Sequence, residues 1–86
     1  MAEKKVTVVN ETGLHARPAA ALVQFVKNIP GEVELIKEGK VANAKSIFNV
    51  MSLGISKGME ITVRVTGEDA EEHVDKIVEF ISGLTD

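Results

Sequence analysis

Polar and apolar residues alternate in some stretches of the chain and recur at helical spacing in others. Val6 and Val8, running on to Val9, with Thr7 facing the other way, predict a first strand. Asn10 to Gly13 carries turn chemistry. From Ala16 to about Asn28, the residues Ala19, Leu22, Val23 and Val26 fall at i, i+3, i+4 and i+7, and Phe25 and Ile29 widen that stripe. This is a helix, which Pro30-Gly31 then ends. Val33 and Leu35 alternate with glutamates, so Glu32 to Lys37 reads as a half-buried strand. Glu38-Gly39 turns it into a hairpin with Lys40 to Asn43. Ile47, Val50, Met51 and Leu53 form a short helical stripe after Ser46, with Gly54 as its stop.

Ile61, Val63 and Val65 alternate with Thr62, Arg64 and Thr66 and give the last strand. Asp69 and Glu72 have the spacing of a capping box, with Asp69 as the cap. Ala70, Val74, Ile77, Val78 and Ile81 then mark a closing amphipathic helix. The order is β-α-β-β-α-β-α. Alternating strands bury one sheet face, and three one-sided helices must lie on it, so the class is α+β.

The 86 residues leave room for one domain, spanning 1–86. Apolar residues make up 44% of the chain but aromatics only 3%, so the core is aliphatic and stacking platforms for bases are scarce. A net charge of −3 without a basic run argues against nucleic-acid binding. With no cysteine, disulfides and thiolate metal sites are excluded. No apolar core of a signal peptide is visible, and no apolar stretch nears the ~20 residues that span a bilayer. A cytoplasmic protein without membrane insertion is expected.

With so little else to do chemistry, Thr12-Gly13-Leu14-His15-Ala16-Arg17-Pro18-Ala19 stands out. Proline is tolerated in the first turn of a helix, where its missing N–H would lack a partner anyway, so Pro18 pins the helix start close to His15. The imidazole then sits beside unpaired backbone N–H groups and the positive end of the helix dipole, an arrangement suited to anions. Arg17 adds a permanent cation whose fork matches phosphate oxygens. Neutral imidazole is a nucleophile, and phosphoryl transfer needs mainly positioning and electrostatics. Without a second local acid–base group, the pattern suits a transient phosphohistidine better than hydrolysis. Taken alone, the spacing supports this and a plain N-terminal helix histidine about equally.

The string Gly13 to Ala19, with a second segment Lys45-Ser46-Ile47-Phe48-Asn49-Val50-Met51-Ser52-Leu53-Gly54, resembles the HPr family of the sugar phosphotransferase system. The resemblance covers the whole chain in length and element order. It implies an open-faced β-sandwich with three helices on one face of a four-stranded antiparallel sheet. It further implies that enzyme I phosphorylates His15, that Arg17 assists, and that enzyme IIA domains accept the group for sugar uptake. Such a protein is a covalent carrier without turnover of its own, needs no cofactor or metal, and is expected as a monomer. In low-GC Gram-positive members the matching serine, here Ser46, is phosphorylated by HPr kinase/phosphorylase, and the phosphoserine form is a corepressor with catabolite control protein A. Ser46 also suits a plain N-cap.

Ala16, Ile47, Phe48 and Met51 are candidate docking residues, and Lys27, Lys45 and Lys57 candidate steering cations for an acidic partner. Ile47 and Met51 suit the core equally well, whereas Phe48 falls off the main stripe. Phe48-Asn49 departs from the Met-Gly expected in many Gram-positive members, which bears on partner choice. His73 reads as a boundary residue of the last helix, and no ligand spacing links it to His15. Two rivals remain: a carrier for a nitrogen-regulatory branch, and a purely regulatory module resembling Crh. The Ser46 segment weighs against the first, and His15 against the second, since Crh-type paralogues lack that histidine.

Overall fold

In the computed structural model, which describes residues 1–85, the elements follow the order read from the sequence. They are β1 (Ala2–Thr7), α1 (Ala16–Val26), β2 (Glu32–Lys37), β3 (Lys40–Asn43), α2 (Ile47–Ser52), β4 (Glu60–Thr66) and α3 (Ala70–Ser82). The strands form one sheet in the order β1-β4-β2-β3, every neighbouring pair antiparallel.

The register explains why one face is covered and the other open. Ala2 lies opposite Val65, which lies opposite Val33; Val63 faces Leu35, which faces Ala42; Val6 faces Ile61. All of these are buried, and they join Ala19, Leu22, Val26, Val50, Val74, Ile77 and Ile81 of the helices in one core. Strand period two sends the intervening residues to the opposite face. There Arg64 donates through Nε to Glu34 at 2.8 Å and pairs with Glu3 at 3.4 Å, joining β1 and β2 across β4. Three helices thus cap an antiparallel sheet on one side, the open-faced sandwich expected. Phe25 and Phe80 stack with ring centroids 4.4 Å apart and tie α1 to α3.

Four details depart from the sequence reading. The first strand spans Ala2–Thr7 rather than running from Val6 to Val9: Glu3-Lys4-Lys5 hides its early periodicity, and Val9 lies beyond its end and is half exposed. Lys4 opposes the buried Val63, yet its ammonium reaches the rim of the sheet and pairs with Asp75 of α3. The hydrogen bond and charge of Asp75 hold that ammonium above its ordinary range. The first helix closes at Val26, before the expected Asn28. Ile29 precedes Pro30 and is disfavoured in the helical region, so the helix must finish short of it. Asp69 does not close a capping box. It adopts a left-handed backbone (φ 57°), its carboxylate makes no cap hydrogen bond, and a side-chain cap needs an extended residue at that position. Glu71 and Glu72 still place negative charge at the positive end of α3. Val78, expected in the closing stripe, is only half-buried at its edge.

Elsewhere the boundaries agree. The hairpin turns on Glu38 and Gly39 at φ 49° and 82°, both left-handed, as a two-residue turn of the primed type requires. Replacing Leu35, fully buried in β2, with Ala is expected to cost about 3 kcal/mol in urea unfolding. Val41→Ala, on a side chain 51% exposed, is expected to change stability by less than about 0.5 kcal/mol. Similar losses for the two variants would contradict this assignment of covered and open faces.

Candidate functional site

The segment between β1 and α1 is held from both sides before it reaches His15. Asn10, buried at 5% exposure, donates from Nδ2 to the Gly13 carbonyl at 2.8 Å, while the Gly13 N–H donates back to the Asn10 carbonyl at 3.1 Å. The Leu14 N–H donates to the Ile55 carbonyl at 3.1 Å, and the Leu14 side chain is buried in the core. Gly13 has φ +66°, and a Cβ there would lie 2.3 Å from the Ile55 carbonyl oxygen. Only glycine allows the two backbones to come so close.

The chain emerges from this contact directly into His15. It is the N-cap of α1, with an extended backbone and a carbonyl that accepts from the Ala19 N–H at 2.7 Å. An N-cap of the usual kind turns its side chain back onto the helix. His15 makes no such bond, and its ring is exposed. Pro18 is the third helical residue and has no N–H, so the donors that α1 itself leaves over nearest the ring are those of Ala16 and Arg17. No acidic side chain lies in the first turn.

Thr12, His15, Ala16, Arg17 and Pro18 line an open pocket of about 270 Å³. His15, Ala16 and Arg17 are therefore brought together as expected. Thr12, whose side chain was read only as part of a turn, joins them. Asn10 and Gly13 were also read as turn residues, although they fix the loop. The buried side-chain amide of Asn10 is the signal that the linear pattern could not carry.

Ser46 is the N-cap of α2, and its Oγ accepts from the Asn49 N–H at 3.4 Å. The hydroxyl is therefore in part a structural cap. Phe48 is 84% exposed, whereas Ile47 and Met51 are half-buried against the core. The helix packs on α1. Of the lysines, Lys27 is exposed at the end of α1, and Lys57 pairs with Glu11 at 2.7 Å beside the site loop. Lys45 directs its ammonium to the carbonyls of Ile29 (2.5 Å) and Gly31 (3.0 Å), so its charge is bound within the protein. His73 is half-buried on α3 and does not line the pocket. Among the described residues, no helix is long and apolar enough to cross a membrane.

Gly13→Ala tests the loop's anchor. Left-handed strain and the backbone clash together are expected to cost about 1–3 kcal/mol. Thermal melting and a moved His15 ring resonance would report the loss and the shift, and a native-like melt with an unmoved resonance would contradict the contact.

Comparison with known proteins places the sequence and the fold. A family model described as the PTS HPr component phosphorylation site matches residues 2–83. The HPr-like protein Crh of Bacillus subtilis (strain 168) is 44% identical over 81 residues, which are 94% of this chain and 95% of that protein. The crystal structure of a phosphocarrier protein HPr from Bacillus anthracis str. Ames superposes with a TM-score of 0.88 at 40% identity, covering 93% of this chain and 95% of that one. A crystal structure of Bacillus subtilis Crh, described as a dimer with a swapping domain, has a TM-score of 0.75 at 44% identity, over 94% and 93% of the two chains. Matched nearly from end to end and alike in sequence and fold, this chain belongs to the HPr family of phosphotransferase-system phosphocarriers, of the Gram-positive type.

Proposed function

We propose that the chain carries phosphoryl groups on His15 between enzyme I and enzyme IIA domains in sugar uptake. The observation that carries this reading is an exposed imidazole at the N-cap of α1, opening with Arg17 into one pocket. In the transfer, a ring nitrogen of His15 attacks phosphorus in line. The P–N bond to His15 forms as the bond to the donor breaks, and that electron pair stays with the donor. By resemblance, the nitrogen is Nδ1. The incoming group is anionic, and Arg17 with the leftover N–H groups of α1 is placed to hold it. Transfer to an acceptor runs the same step in reverse, so the chain acts as a covalent relay rather than a turnover enzyme. By the family resemblance, it works in the cytoplasm as a monomer. A swapped dimer in sedimentation at working concentration would contradict the monomer.

A regulatory role at Ser46 accompanies the carrier role. Two observations favour it: similarity to Crh, whose structure is described as that of a catabolite repression protein, and a serine hydroxyl placed at the start of α2. Phosphorylation by HPr kinase/phosphorylase would add a charge of about −2 there, and the modified form would act as corepressor with catabolite control protein A. Phe48 is the docking residue best supported by exposure, with Ile47 and Met51 on the same helix and the exposed Ala16 at the start of α1 as further candidates.

Incubation with enzyme I and labelled phosphoenolpyruvate is expected to give acid-labile label on the wild type and none on His15→Ala. Arg17→Ala is expected to slow labelling on the order of a hundredfold with little change in melting temperature, as for loss of one donor to a developing charge. Equal labelling of the wild type and His15→Ala would sink the assignment. HPr kinase with ATP is expected to modify the wild type and leave Ser46→Ala unmodified, and an unmodified wild type would remove the regulatory role.

A further inference from the structure

A six-residue helix is well below the roughly 12–15 residues that are helical alone in water, so tertiary contacts must hold α2 in place. Within it only Val50 is buried. Its two ends are each tied to another element by a lysine. Before it, the Lys45 ammonium donates to the Ile29 and Gly31 carbonyls, where α1 gives way to β2. After it, Lys37 at the end of β2 donates from Nζ to the Leu53 carbonyl at 2.9 Å and the Gly54 carbonyl at 3.2 Å. Lys37 stands at the last position of its strand, paired with Lys40 across the Glu38-Gly39 turn, so its backbone is held in the sheet. Hydrogen bonds from an ammonium to carbonyls are among the stronger kinds, and these two close off the turn leaving the helix. That turn also carries Leu53, buried at 5% exposure, into the core.

We propose that Lys37 is a positioning residue for partner recognition: its clamp on Leu53 and Gly54 sets the pose in which α2 presents Ile47, Phe48 and Met51. The inference rests on the carrier reading for its partner, enzyme I. The clamp itself is a property of the free protein. Lys37 acts through the helix and touches neither His15 nor the transferred group.

The test uses the full chain as wild type, Lys37→Met and Lys37→Arg. Methionine keeps much of the apolar stem and removes the donors, whereas arginine can still reach two carbonyls. Amide hydrogen exchange in the free protein is expected to be roughly tenfold faster at Val50 and Gly54 in Lys37→Met, with Leu35 and Val63 unchanged, and to recover in Lys37→Arg. In the enzyme I reaction, KM for the carrier is expected to rise severalfold in Lys37→Met with kcat unchanged, again recovering in Lys37→Arg. Raised KM with unchanged exchange would make Lys37 a contact for the partner and overturn the proposal. Unchanged exchange with unchanged KM would overturn it too. Should Lys37→Met lose its cooperative melt, Lys37→Leu, which also lacks the donors but keeps an apolar side chain, is read in its place by the same criteria. A wild type that takes no label at all defeats the carrier reading, and the exchange result then decides the clamp alone.

Discussion

Everything about the site depends on one close backbone contact. Gly13 lies against Ile55 and Ser56 with no space for a Cβ, and the neighbouring Leu14 is bonded to Ile55 and buried in the core. Two segments distant in sequence are thereby fixed to each other within one residue of the histidine. His15 can be exposed without being loose because the residue before it is not free to move. A polar contact made by a long side chain would give less precision, since such a side chain has several rotamers to choose from. Here main chain meets main chain, and the buried side-chain amide of Asn10 holds the remainder of the loop.

The one-sided architecture complements this contact. The helices cover the sheet on a single face, so the helix layer has an outer surface of its own, and α1 and α2 pack together within it. His15 at the start of α1 and the exposed Phe48 of α2 both belong to that layer. The opposite face has a different character. Arg64 and its two glutamates span three strands there, giving the open side of the sheet a paired, polar surface. Division of labour between the faces follows from strand period alone.

Much of this was legible in the sequence because it follows from periodicity. Alternation in β2 and β4 and the stripes of α1 and α3 depend only on which side of an element is apolar. The misses share a cause: each depends on a partner far away in the chain. The early part of β1 is ordered by pairing with Val65 and Arg64, not by its own composition. The roles of Asn10 and Gly13 exist only because residues 55 and 56 arrive beside the loop. Lys45 and Lys37 look like surface charges in a linear reading, and only the fold shows carbonyls at the ends of their side chains. Asp69 fails in the opposite sense, since its motif is local and correct in spacing, but the backbone turns left-handed there. Pro18 is the local feature that a linear reading does use fully, because it constrains the helix start whatever lies around it.

Pro18 has a further consequence for how firmly an anion is held. A glycine-rich phosphate loop encloses its ligand with a full set of amide donors and so retains it. At the start of α1 the third helical residue contributes no donor, which leaves fewer amides and one guanidinium around an open pocket. Such a cradle is incomplete by construction. For the relay proposed for His15, incompleteness is the useful property, because a group held too well in either direction would stop moving. On that reading, the proline that locates the helix start also leaves the cargo with fewer donors, and so easier to pass on.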